Sequence, residues 1–363
     1  MNSEYRPARV LSPGEVLLRE LEARGWTQRD LAEIIDRPYQ AVNEIINGNK
    51  LITPDTAREL ARAFGTSIDF WINLETNYRL HSAIKDEKEK SIIRRSKLYS
   101  IAPVREMIKR SWIEKTNDID QLEKNIWSFL GGSSPDTPLP AAANLRHSQG
   151  SDSDVVALNA WVQRVKLVAK NQTVNQYDSN LVKNALPDIL SYAADDHLVS
   201  QVPSKLLGLG IHFVIVPHLP KTYLDGAAIM EDGHPIIALT LRYDRIDSFW
   251  FTFMHEMAHI VLDHKGTILD NTEEGHGSAT EKDENAANTL AREWLINKTQ
   301  LAQFIKAVHP HFSKSSIETF SHQLKRHPGI VLGQLHYTGA VGYQHLRPLL
   351  VKVSPYLKEW TKD

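Results

Sequence analysis

Phe251-Thr-Phe-Met-His255-Glu256-Met-Ala-His259-Ile-Val-Leu262 is the stretch on which the reading of this chain turns. Two histidines four residues apart lie one turn apart on one face of a helix, because about 3.6 residues complete a turn. Their rings can share one metal ion, and the glutamate beside the first can reach a water on that ion. The flanks argue against two unrelated surface histidines. Phe249, Trp250, Phe251, Phe253, Met254, Met257, Ala258, Ile260, Val261 and Leu262 make the helix apolar nearly all round, and such a helix is buried. Buried imidazoles and a buried carboxylate need partners, which a shared cation supplies. The spacing predicts a zinc hydrolase, with Zn²⁺ as cofactor and Glu256 as general base.

Two ligands do not hold a catalytic zinc, which normally has three protein ligands and a position left for water. A metzincin would place a glycine and then a histidine where this chain has Leu262 and Lys265, so that branch is excluded. His264 lies five residues past His259, about 140° round a continuous helix, which makes it a poor third ligand. The better candidate is Glu284 in Glu281-Lys-Asp-Glu-Asn-Ala-Ala-Asn288-Thr-Leu-Ala-Arg-Glu-Trp-Leu-Ile296, where Ala287, Leu290, Ala291, Trp294 and Leu295 recur at helical spacing. Asn288, one turn on, would accept a ring N–H and orient a ligand histidine. Glu281 and Asp283 stay open as alternative ligands, and all three acids also suit a helix N-terminus.

His255-Glu-Met-Ala-His259 followed by Glu284-Asn-Ala-Ala-Asn288-Thr-Leu-Ala resembles the ImmA/IrrE metallopeptidases, whose second motif reads E-x-x-A-N-x-F-A. Leu290 stands where that family has phenylalanine, and Ile296-Asn297 where methionine-proline is common. The resemblance spans roughly residues 155–345. Gly210-Ile-His-Phe-Val-Ile-Val-Pro217 and Gly233-His-Pro-Ile-Ile-Ala-Leu239 read as strands before the zinc helix, and His327-Pro-Gly-Ile-Val-Leu-Gly-Gln-Leu335 is similar to a C-terminal family segment. It implies an α+β, zincin-like peptidase acting on repressors of the XRE class. The group that stabilises the oxyanion is not readable from spacing; His264, His327 and Tyr337 are candidates.

Residues 12–80 carry a different signature. Ser12-Pro-Gly-Glu15 is a capping box with proline at the first helical position, opening a helix that runs to Gly25. Thr27-Gln-Arg-Asp30 opens a second through Ile35, Tyr39 to Asn47 forms a third, Thr53-Pro54 caps a fourth that stops at Gly65, and Ser67 opens a fifth. Short helices joined by tight turns suit a helix-turn-helix DNA reader. The stretch, through Asn47-Gly-Asn-Lys-Leu-Ile-Thr53 and Trp71-Ile-Asn-Leu74, resembles HigA-type antitoxins of the XRE repressor class. The resemblance implies that the third helix enters the major groove. Tyr39, Gln40 and Asn43 would then reach base edges, while Gln28, Arg29, Arg37 and Lys50 would contact phosphates. Residues 1–80 hold ten Lys/Arg against twelve Asp/Glu, so DNA binding would rest on a local patch and on a dimer that doubles the contacts.

At 363 residues, 42% hydrophobic and with a formal net charge of −2, the chain has room for two or three ordinary globular domains. With no cysteine, disulfides, thiolate metal sites and cysteine nucleophiles are excluded. There is no apolar leader core and no membrane-spanning run, so a cytoplasmic location is expected. The expected organisation is multidomain: an all-α reader over 1–82, a helical connector with a flexible linker over 83–154, and an α+β metallopeptidase over 155–363. Pro103 should break the connector, residues 131–154 should form the loop-rich linker, and a helical stretch should follow from Val155 to Ala194.

Two functional readings follow. In the first, a DNA-binding repressor carries a zinc endopeptidase that cleaves itself or a partner XRE-type repressor. In the second, a HigA-like antitoxin binds its operator DNA and a HigB-like toxin, and its zinc domain senses a ligand without hydrolysing anything. Both take the homodimer as the operator-binding form.

Overall fold

The computed structural model describes residues 10–83, 87–132, 152–220, 222–264, 267–270 and 281–361. Two compact units are distinguished, Met1–Ser96 and Lys97–Asp363.

In the first unit, Ser12 Oγ accepts from the Glu15 backbone N–H at 3.1 Å, and the Glu15 carboxylate accepts from Ser12 N–H at 2.9 Å. This box starts α1 (Pro13–Arg24), which Gly25 ends in the left-handed conformation at φ 66°. Thr27 and Asp30 repeat the device at the start of α2 (Gln28–Ile34). Asp36 turns the chain at φ 49° into α3 (Tyr39–Ile46); α4 (Pro54–Phe64), capped by Thr53, and α5 (Ile68–Ala83) follow. Four expected helices thus begin at their caps. Leu17, Leu31, Leu60 and Trp71 meet in a core closed to solvent, where the Trp71 indole N–H donates to Thr66 Oγ1 at 2.8 Å.

The division between units falls within α6 (Glu87–Ile101), and Pro103 separates it from α7 (Val104–Lys109). Then come α8 (Ile119–Phe129), α9 (Asp152–Lys170), α10 (Ser179–Ser191) and α11 (Val202–Gly208). The helical stretch expected over 155–194 is therefore interrupted between Lys170 and Asp178, the residue that caps α10. A sheet follows in strands β1 (His212–Ile215), β2 (Gly226–Glu231) and β3 (His234–Leu239). After α12 (Ile246–Val261) comes β4 (Thr267–Asp270), and the chain closes with α13 (Glu281–Leu295), α14 (Lys298–Val308), α15 (Lys314–Leu324) and α16 (Pro328–Tyr337).

The sheet order is β1-β3-β2-β4, with β1 parallel to β3 and β2 antiparallel to both β3 and β4. Side chains alternate between its faces, as a period of two requires. Phe213, Ile215, Ala228, Ile237 and Leu239 pack with Phe249, Trp250 and Phe253 of α12. Val214, Ala227, Ile229, Ile236 and Ala238 pack on the other side with Met107, Ile126, Trp161 and Val165.

That second face corrects the expectation of a helical connector within residues 83–154. From Leu98 to Leu130 the chain buries a continuous apolar surface against the sheet. The Arg110 guanidinium donates to the carbonyls of Pro217 and His218, and the Trp161 indole to that of Val216. A parallel strand pair needs both faces covered, and these helices supply one cover. The linker expected over 131–154 lies mostly outside the described residues.

Gly14 sits where α1 meets the end of α3: a Cβ there would stand 2.0 Å from the Ile46 carbonyl oxygen. Gly14→Ala should destabilise the first unit by about 1–3 kcal/mol through overpacking. Urea unfolding followed by circular dichroism should show this as a lower midpoint, and an unchanged midpoint would contradict the close approach.

Candidate functional site

In the second unit, the aromatic flank of α12 makes the helix central, and His255, Glu256 and His259 are wholly buried. The small residues Ala287 and Ala291 of α13 are also fully buried, and α13 packs along α12 with Glu284 turned toward the histidines. His255 Nε2 lies 3.3 Å from Glu284 Oε2, His259 Nε2 lies 3.7 Å from Glu284 Oε1, and the two ring nitrogens are 2.9 Å apart. Corners of a tetrahedron around a metal bonded at about 2.0–2.1 Å stand about 3.4 Å from one another. Three donors converging at those separations fit one divalent ion. Glu284 Oε1 is, moreover, buried without a hydrogen bond, an expensive condition for a carboxylate unless a cation satisfies it.

Asp283, an alternative ligand, instead faces His264, with His264 Nε2 3.5 Å from its Oδ1. The Glu281 side chain lies outside the described residues. Asn288 is half-buried one turn beyond Glu284, and among the described residues its amide makes no hydrogen bond to either imidazole.

His264 is the residue whose role the spacing concealed. The 140° figure assumed a continuous helix, but α12 ends at Val261 and Asp263 turns left-handed at φ 55°. The His264 backbone N–H donates to the His259 carbonyl at 3.0 Å, and its ring Nδ1 approaches His259 Nδ1 to 2.8 Å. His264 therefore backs the far side of a candidate ligand, with Asp283 behind it. His327 caps α16, accepting from Gly329 N–H on Nδ1 at 3.0 Å, and Tyr337 is exposed with the Arg292 guanidinium over its ring.

Glu256 lies against β2. A Cβ at Gly226 would be 2.6 Å from Glu256 Oε1 and 2.7 Å from Thr252 Cγ2, so glycine leaves the room that the carboxylate occupies. Burial, followed by the nearby His255 and His264, pushes the His259 pKa down to about 3, against the opposing pull of Asp283. Its imidazole is thus neutral near pH 7, the state a metal ligand requires.

In the first unit, α2 carries Gln28 and Arg29 and α3 carries Tyr39, Gln40 and Asn43, while Arg37 lies between these helices and Lys50 after them. The Asn43 amide donates to Gln28 Oε1 at 3.2 Å, tying the two helices together, and Gln40 Nε2 donates to Glu44 Oε1 at 3.2 Å. Tyr39 and Gln40 are exposed, with the Arg29 guanidinium 5.7 Å from the Tyr39 ring, and Lys50 is also exposed. Arg37 is engaged elsewhere, donating through Nε and Nη2 to the two carboxylate oxygens of Glu59.

Family comparison matches residues 17–71 to a helix-turn-helix and residues 209–331 to the IrrE N-terminal-like domain, an M78 peptidase family. Virulence-associated protein I of Dichelobacter nodosus is 36% identical over 85 residues, which are 23% of this chain and 79% of that protein. Antitoxin HigA-1 of Vibrio cholerae is 40% identical over 68 residues, 18% of this chain and 64% of its own. A solved addiction module antidote protein of a HigA family from Coxiella burnetii is 38% identical, covering 23% of this chain and 90% of that one, with a TM-score of 0.22.

Two outcomes are expected. His264→Ala should weaken metal binding about 10- to 100-fold in competition with a chromophoric chelator, because an orienting partner is lost; unchanged affinity would leave His264 a packing residue. In metal-free protein, the depressed His259 pKa gives stability that is complete above the unfolded value of 6.5 and is lost as pH falls from there toward 3. The slope is about 1.4 kcal/mol per pH unit, measurable by urea titration and reduced in His259→Ala.

Proposed function

This chain belongs to the helix-turn-helix regulators and carries an IrrE N-terminal-like domain, and we propose that it is a repressor whose zinc-dependent endopeptidase ends repression by cutting itself or a partner XRE-type regulator. The observation that carries this reading is the convergence of His255, His259 and Glu284 beside a buried glutamate, in a chain that also holds a DNA reader. Two imidazoles and one carboxylate are a donor set that suits Zn²⁺ and leaves a coordination position open. Bound zinc supplies Lewis acidity to water and to the scissile carbonyl.

The protein's own residues do the rest. Glu256, held between α12 and the β2 backbone, takes the proton of the attacking water and returns it to the leaving amine. His264 and Asp283 keep the His259 ring oriented, and Asn288 is assigned a supporting place beside the ligands. In the reader, Tyr39, Gln40 and Asn43 are assigned to base edges, and Gln28, Arg29 and Lys50 to phosphates. Arg37 joins them only by leaving Glu59. A homodimer on operator DNA is the form we assign to the repressor. Among the described residues no helix is long and apolar enough to cross a membrane, and we place the protein in the cytoplasm.

The likeness to proteins called antitoxin and antidote supports a second reading, in which the reader also holds a HigB-like toxin and the zinc domain cuts nothing. Glu256→Gln separates the two. It should keep zinc and operator binding while intact chains persist and repression is no longer relieved. Incubating wild-type protein with operator and candidate regulators, then finding every chain intact under conditions that relieve repression, would reject the peptidase reading.

A further inference from the structure

Several arginines of the second unit are held by carboxylates or by backbone carbonyls. Arg245 pairs with Asp247, Arg326 donates to the carbonyls of Leu295 and Trp294, and Arg110 donates to those of Pro217 and His218. The side chain of Arg292 on α13 makes no hydrogen bond or ion pair among the described residues. It is half-buried between two rings, its guanidinium carbon 3.8 Å from the centroid of Tyr337 and 5.2 Å from that of Phe251.

Ring stacking occupies the faces of a guanidinium and leaves its in-plane N–H edge free. That edge is the part that grips a carboxylate bidentately. Its position is also specific. Arg292 stands two turns beyond Glu284 on the same helix, about 12 Å along the axis, with Asn288 between them. Phe251 is one turn before His255 on α12, and the two rings are 6.2 Å apart. The cation therefore lies at one end of a line running from Glu284 and His255 past Phe251, along the two helices that carry the candidate metal ligands.

We propose that Arg292 is the anchor for a carboxylate of the bound peptide, so that the preferred substrate is acidic about three to four residues from the scissile bond. This rests on the peptidase reading, because an extended peptide advances about 3.3 Å per residue and must thread the metal centre to present its acid here. Tyr337 and Phe251 hold the guanidinium flat and limit the motion lost on binding. The carboxylate can be a glutamate or aspartate side chain or a chain terminus, and these share one chemistry.

The test uses the full-length, zinc-loaded chain with Glu256→Gln, which prevents turnover, and fluorescein-labelled alanine decapeptides read by anisotropy. One peptide has a central glutamate, its control a central glutamine, both with amidated ends; a third has no acidic side chain but a free C-terminus. The glutamate peptide, the free-acid peptide or both should bind at least about tenfold more tightly than the glutamine control. Which of them does so identifies the source of the carboxylate. Arg292→Gln should erase the ratio, and Arg292→Lys, which keeps charge without the fork, should retain only part of it. Equal binding of all three peptides, or a ratio that survives Arg292→Gln, overturns the proposal. Should Arg292→Gln fail to fold, the wild-type ratio and the lysine variant decide. Peptide cleavage by wild-type protein without acidic preference would sink the anchor and spare the peptidase; acidic preference without cleavage would do the reverse.

Discussion

Two imidazoles from the end of α12 and one carboxylate from the start of α13 are held within 3.7 Å of one another, the imidazoles fully buried and the carboxylate 15% exposed. Such an arrangement is costly for the bare polypeptide, since buried polar groups lose their hydration. A bound cation would convert that cost into cohesion, because the free energy of coordination would become free energy holding α12 to α13. The same burial that keeps His259 neutral keeps its lone pair available. Geometry, protonation state and fold stability are thus one property of this helix pair.

The sheet fixes the fourth participant. Glu231 and His234 pair across Asp232 and Gly233, both at positive φ, which turns β2 back as β3. That hairpin carries Gly226 to the opposite end of β2, against Glu256 and Thr252. A strand without a side chain at that point lets its backbone serve as the wall of a carboxylate pocket. The helices α7 to α9 matter to the site for the same reason: by covering the other face of the sheet, they keep its strands in register behind α12.

Much of this was legible in the residues. The capping boxes at Ser12 and Thr27, the left-handed glycines at 25 and 65 and the apolar run of α12 are local signals, and the structure places elements where they predict them. The spacing leaves three acids open as a third ligand, and Glu284 is the one whose carboxylate lies 3.3 Å from the His255 ring. What spacing could not supply was tertiary. β2 reads Gly-Ala-Ala-Ile-Met-Glu, with little β-branching, and went unread although Asp232-Gly233 is a strong hairpin signal. Residues 98–130 were read as a connector because their apolar positions alone do not tell which surface they cover. His264 was misplaced by extending a helix past its end, where one left-handed residue, Asp263, reverses the side chain's direction.

The reader's charge bears on how a peptidase in the same chain could act. With ten basic against twelve acidic residues in its first 80, a single reader has no general field to hold it on DNA. Its affinity then depends on a few contacts around α3 and, in the proposed dimer, on two readers engaging half-sites together. Joining two weak modules raises the apparent affinity far beyond either one, and separating them loses all of that gain. A cut therefore has no need to destroy the helix-turn-helix fold: removing whatever keeps two readers joined would be enough to release the operator.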